Sequence, residues 1–247
     1  MNVEVKVEGG VARIFLNRPE KSNALTSPLL SEIEKTIKEL ENQPRLRVVV
    51  IGGNGKAFCG GADVGELSEL NEKTAAAFVE RIHEVCAAIR ALPVPAVARL
   101  HGAVIGAGLE IAAACDLRIA ANGTKFAMPE VKLGIPSVVE AALLPRLMGA
   151  GRAAWLVLTG EAIDAERAYQ WGLIEEIHSF SDLDAGVQKL VKSLLSADRD
   201  ALREQKRLLQ LWEEAPLAVS IRESVAAFSR CQAGGNTISS RLEGKKD

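Results

Sequence analysis

"AVARLHGAVIGAGLEIAAAC", residues 96–115, decides how the chain is built. "AVARL" reads as a strand. The glycines at 102, 106 and 108 make a turn, and the chain becomes helical from about Gly108. Between Gly102 and Cys115 the only ionisable side chain besides the Cys115 thiol is Glu110. Removing a lone carboxylate from water costs several kcal/mol unless partners compensate or it takes up a proton. Either Glu110 escapes to solvent or its burial serves a purpose.

Outward from that stretch, strands alternate with helices. "VEVKVEGGVARIFLN" predicts a hairpin around Gly9 and Gly10 with one face buried. "TSPLLSEIEKTIKEL" predicts a helix with Ser27 as N-cap and Pro28 at the first helical position. The strand "RVVVIGG", a Gly-rich loop and the helix "NEKTAAAFVERIHEVCAAIRAL", stopped by Pro93, come next. Behind residue 115 lie short strands in "DLRIAAN" and "KFAM", and from Val138 onward nearly everything reads as helical. The alternation implies a largely parallel sheet system.

The 247 residues are 48% hydrophobic, enough for one large core, and 30 basic against 32 acidic residues give a net charge of -2. That balance excludes nucleic acid as a primary partner. The start has neither a basic nor an apolar leader region, and no apolar run is long enough to span a membrane, so a soluble, cytoplasmic protein is expected. Cys59, Cys86, Cys115 and Cys231, with His83, His101 and His178, are scattered without ligand spacing, which predicts free thiols and no metal site.

Three segments can carry chemistry. "GGNGKAFCGGADVGEL" (52–67) follows a strand and starts a short helix at Ala62 and Asp63. "HGAVIGAGLE" (101–110) repeats that strand-to-helix corner. Free N–H groups at such corners suit the developing negative charge of an oxyanion. A dinucleotide fingerprint is excluded because its third position is Ile111. In the third segment, "FAMPEVKLGIP" (126–136), Glu130 can return beside Glu110, since the helix from Glu110 and the strand that follows each span ~12 Å. Two such carboxyls in an apolar cleft would titrate apart, one as base and one as acid. The bland alternative has Glu110 bonded to helix backbone and Glu130 solvated. Asp63 reads as a helix cap, Glu140 as a solvated or dipole-favoured first-turn residue near Glu130, His101 as structural and Cys59 as packing.

These three segments together resemble the enoyl-CoA hydratase/isomerase, or crotonase, superfamily, in its order and separations, over about residues 2–230. The resemblance implies an α/β spiral of repeated ββα units with a helical C-terminal region. The core is expected over 1–195, with 196–247 covering the active site and joining subunits into a homotrimer or homohexamer. It implies backbone N–H groups of Ala62 and Ala107 as the oxyanion hole and Glu110 and Glu130 as the catalytic pair. Ala57, Gly61, Asp63, Gly106, Pro129 and Ser137 become substrate-binding positions. The implied reaction is hydration of a trans-2-enoyl-CoA in fatty acid metabolism, with no cofactor beyond the coenzyme A of the substrate. Other crotonase reactions (isomerisation, thioester hydrolysis, decarboxylation) and a non-catalytic binding protein are the alternatives. Two departures stand out. "IPSVVEAALL" replaces a Gly-rich turn and adds bulk and Glu140 near the acyl pocket. The tail "GGNTISSRLEGKKD" lacks the Phe and Lys that the family places near the CoA adenine.

Overall fold

The structure, a computed structural model, describes residues 2–233. The tail 234–247, which lacks the Phe and Lys that the family places near the CoA adenine, lies outside the described residues. In chain order the elements are β1 (Val3–Glu8), β2 (Val11–Leu16), α1 (Ser27–Glu41), β3 (Val48–Gly53), α2 (Val64–Glu69), α3 (Glu72–Ala91), β4 (Ala96–Leu100), β5 (Ala103–Ile105), α4 (Ala107–Ala114), β6 (Leu117–Ala121) and β7 (Lys125–Ala127). Two 3-10 turns follow, Pro129–Leu133 and Val139–Leu143. Then come α5 (Leu144–Met148), α6 (Ala150–Thr159), β8 (Ile163–Asp164), α7 (Ala165–Trp171), β9 (Glu176–His178), α8 (Leu183–Ser196), α9 (Arg199–Glu214) and α10 (Leu217–Ala233).

One six-stranded sheet runs β1-β2-β3-β4-β6-β9, and a three-stranded sheet runs β5-β7-β8. Only the β1/β2 and β7/β8 pairs are antiparallel. This is the α/β, largely parallel architecture that the sequence predicts. β3 and β4 are buried along their whole length, and helices α1 and α3 pack together with Leu29, Ile33 and Ile37 of one and Phe78, Ile82 and Ile89 of the other in the core. Strands buried on both faces read as continuous apolar runs, and so "VVVI" and "AVA" do.

Several expectations are corrected. The cap of α1 is Thr26, whose side chain accepts from the Leu29 N–H, so Ser27 is already helical. The helix after the first corner starts at Val64. Ala62 is extended and bridges to Leu25, while Asp63 caps α2 as expected. On β1 only Val3 is buried, and Val5 and Val7 are exposed because β1 is a sheet edge. The stretch after Val138 also holds β8 and β9. Two or three residues are too few for a periodic signal, and pairing with β7 and β6 makes them strands.

The chain divides into a unit of residues 1–192 and a unit of residues 193–247. Within the second, α9 and α10 are tied by the Trp212 indole N–H donating to Ser224 Oγ at 3.0 Å and by Arg230 on Glu204 at 2.6 Å. Leu217, Ile221, Val225 and Phe228 of α10 are exposed. No helix among the described residues is long and apolar enough to cross a membrane.

Candidate active site

The loop before the first corner is held from below by Asn23. Its buried side-chain amide donates to the carbonyls of Ala57 at 2.8 Å, Asn54 at 3.0 Å and Phe58 at 3.1 Å. From above, Phe58 and Cys59 N–H groups donate to His101 and Ala103 carbonyls at 2.8 and 3.0 Å. Ala57 is buried between these ties. Gly61, at φ 95°, needs the left-handed region and sits so close to the second corner that a Cβ there would lie 2.9 Å from the Ile105 carbonyl oxygen. The two corners therefore abut. Neither the Ala62 N–H nor the Ala107 N–H donates to any described residue. Ala107 is the first residue of α4, where a free N–H is expected.

Strand pairing delivers the glutamates. β5 and β7 run parallel with Ile105 opposite Ala127, and the Gly106 N–H donates to the Ala127 carbonyl at 2.9 Å. From that shared level one chain climbs into α4 and reaches Glu110, while the other enters the turn beginning at Pro129 and reaches Glu130. Gly106 (φ 51°) lies directly under Glu130, whose Oε1 would collide with a Cβ at that position. The Ser137 hydroxyl donates to Glu130 Oε2 at 2.9 Å. All eight residues of α4 are buried, as suits a helix apolar at every position but one, and that one, Glu110, is 4% exposed. The Ala141 N–H donates to its Oε1 at 3.1 Å.

Glu110 is pushed up to about 8, first by burial and further by the Glu130 and Glu140 carboxylates, against the pull of the Ala141 N–H. Burial and the neighbouring carboxylates therefore raise the proton affinity of Glu110 well above that of an ordinary glutamate. Glu140 is also corrected. It is 6% exposed and bonded to His83, neither solvated nor simply a first-turn residue. Asp63 has both oxygens engaged, Oδ1 on the N–H groups of Gly65 and Glu66 and Oδ2 on Arg18 at 2.6 Å. His101 is buried with Nε2 on the Gly55 carbonyl at 3.0 Å, and burial lowers its pKa. Cys59 is buried and its thiol is pushed up to about 12 by desolvation. None of the four cysteines is in a disulfide, and no cluster of metal-binding side chains occurs among the described residues. Asn23, His83 and the Ala141 N–H are site-building groups that sequence patterning missed. Of these only Asn23, beside a turn, bears a local signal.

Two abutting strand-to-helix corners beside two glutamates, on an α/β scaffold, are the features to be matched. The enoyl-CoA hydratase/isomerase family model matches residues 6–234, and the chain belongs to that family. It is 32% identical over 232 residues to the short-chain-enoyl-CoA hydratase of Clostridium acetobutylicum, covering 93% of this chain and 89% of that protein. The crotonyl-CoA hydratase of Syntrophomonas wolfei matches with the same identity and coverage, again 32% over 232 residues, 93% and 89%. Among solved structures, an enoyl-CoA hydratase from Mycobacterium smegmatis superposes with a TM-score of 0.94 at 27% identity, covering 99% of this chain and 97% of that one. One from Bacillus anthracis gives 0.92 at 30% identity, covering 100% and 95%.

Proposed function

We propose that the chain hydrates trans-2-enoyl-CoA thioesters to 3-hydroxyacyl-CoA. The thioester oxygen lies between the N–H groups of Ala62 and Ala107, which draws electrons from the double bond and stabilises the enolate. Glu110 takes one proton from the water whose oxygen bonds to C3, and Glu130 gives a proton to C2. Ala57, Gly61, Asp63, Gly106, Pro129 and Ser137 shape the walls around the thioester, and Ser137 keeps Glu130 oriented. The observation that carries this reading is the approach of Glu130 to Glu110 from the level where β5 meets β7. The names of the hydratase relatives support it.

Hydration takes up no net proton, so the pair must share one proton in both directions, and kcat/KM for hydration and for dehydration must follow one pH profile. Loss of the last proton is expected near the Glu110 value of about 8, with activity falling above it. The raised proton affinity of Glu110 also favours a second reading, double-bond isomerisation with Glu130 as the lone shuttle. Loss of the conjugated enoyl absorbance of crotonyl-CoA, followed for wild type and Glu110→Gln, separates them. Hydratase action predicts near-abolition in the variant. A wild type that only converts 3-enoyl to 2-enoyl thioesters, matched by Glu110→Gln, selects the isomerase.

The same reading includes assembly into three or six chains, supported by the exposed apolar ladder of α10. Light scattering at micromolar concentration checks it, and a monomer contradicts it.

A further inference from the structure

Glu140 has no part in the chemistry above, yet it is placed with unusual care. Its neighbours Val139, Ala141 and Ala142 line an apolar cavity, whereas Glu140 itself turns to α3. There Oε1 meets His83 Nδ1 at 2.8 Å, while Oε2 is buried and the Cys86 thiol of α3 lies against the carboxylate. The His83 side chain is 57% exposed, so the pair joins a buried acid to the surface. Val139, one residue before, holds φ at 37°, a conformation that β-branched residues rarely adopt. Ala141, one residue after, supplies the N–H that Glu110 accepts. A strained turn persists only when its surroundings over-determine it, and the clamp onto α3 is a restraint of that kind.

We propose that Glu140, anchored by His83, is a positioning residue for Glu110: it holds the turn that presents the Ala141 N–H and sets a further negative charge beside the Glu110 carboxyl. The role rests on Glu110 being a reacting group, as read above. The ionisable groups around Glu140 are His83 and Cys86 of α3 and Glu110 of α4, with Glu130 beyond Glu110 and Cys115 beyond Cys86. Arg146, the charged residue of α5, is exposed. Cys86 is buried and its thiol is raised well above its ordinary range, by desolvation first and then by the Glu140 charge, so it stays neutral.

The test compares wild type, Glu140→Gln, His83→Ala and His83→Asn in the full chain. The infrared band of the protonated Glu110 carboxyl, identified by its loss in Glu110→Gln, is titrated, and kcat and KM are measured with crotonyl-CoA. Glu140→Gln is expected to lower the titration midpoint by roughly half a pH unit or more, since a like charge has been removed. It is also expected to lower kcat about tenfold with KM within about twofold, the pattern of a group felt in the transition state. His83→Ala should lower kcat similarly, and His83→Asn, which keeps a donor near the Nδ1 position, should restore most of it. An unchanged midpoint and kcat in Glu140→Gln, with only the melting temperature reduced, overturns the proposal. If that variant fails to fold, the His83 variants decide, and wild-type kcat in His83→Ala overturns it. A protein without hydratase activity whose Glu110 midpoint still moves in Glu140→Gln would refute the proposed reaction and uphold the positioning role.

Discussion

Replacing Glu110 by Gln should change not only activity but how stability depends on pH, and the size follows from burial. In the folded chain Glu110 gives up its proton at about 8, against 4.5 for an ordinary glutamate. Between those values the unfolded chain is ionised at this position while the folded chain is protonated, so unfolding releases a proton. A group raised in the folded state gives its full contribution below its unfolded value and loses it as pH rises through the folded one. Stability therefore falls by about 1.4 kcal/mol per pH unit across this window, about 3 kcal/mol between pH 5 and 7 and about 5 kcal/mol in all. The amide does not titrate, so subtracting the Glu110→Gln variant from wild type cancels every other ionisation that the change leaves alone. Urea unfolding followed by tryptophan fluorescence through Trp155, Trp171 and Trp212, at fixed chain concentration from pH 5 to 9, measures the difference. It should favour wild type least at pH 8 and above, where it levels off. A difference flat to within about 0.5 kcal/mol, or one that favours wild type increasingly as pH rises, would refute the reasoning, the latter by showing Glu110 held ionised.

Ala107→Pro deletes an oxyanion donor and should cost about a hundredfold to a thousandfold in turnover, while Ala107→Gly keeps the N–H and should change it little. Steady-state kinetics on folded protein checks both, and a fully active proline variant removes Ala107 from the mechanism. Gly106→Ala forces a Cβ into Glu130 Oε1 at a φ of 51°, so it should lose activity and cost roughly 1 kcal/mol or more of stability, read by kinetics and thermal melting. Cys59, Cys86 and Cys115 are buried and only Cys231 is partly exposed, so a thiol reagent should label at most one site per native chain and all four after unfolding. Rapid native labelling of Cys59 would contradict its burial.

Much of the fold and part of the site can be read locally. Apolar periodicity marks α1 and α3, continuous apolar runs mark β3 and β4, and glycines followed by an apolar helix mark both corners, because each pattern reports which face of a short segment leaves water. Even the oddity of Glu110 is legible, since an acid amid "GAVIGAGL" and "IAAAC" has to be explained. Sequence alone did not reveal what surrounds that acid. The Ala141 N–H lies 31 residues away, and the His83 bond to Glu140 spans 57. Nor could it say that the proton affinity of Glu110 is raised. Proton affinity is set by desolvation and by charges gathered from α3, α4 and the turns at 129–133 and 139–143, and these meet only when β5 and β7 pair and the helices close over them. Local pattern specifies which faces are buried, and tertiary packing decides which polar groups are buried together.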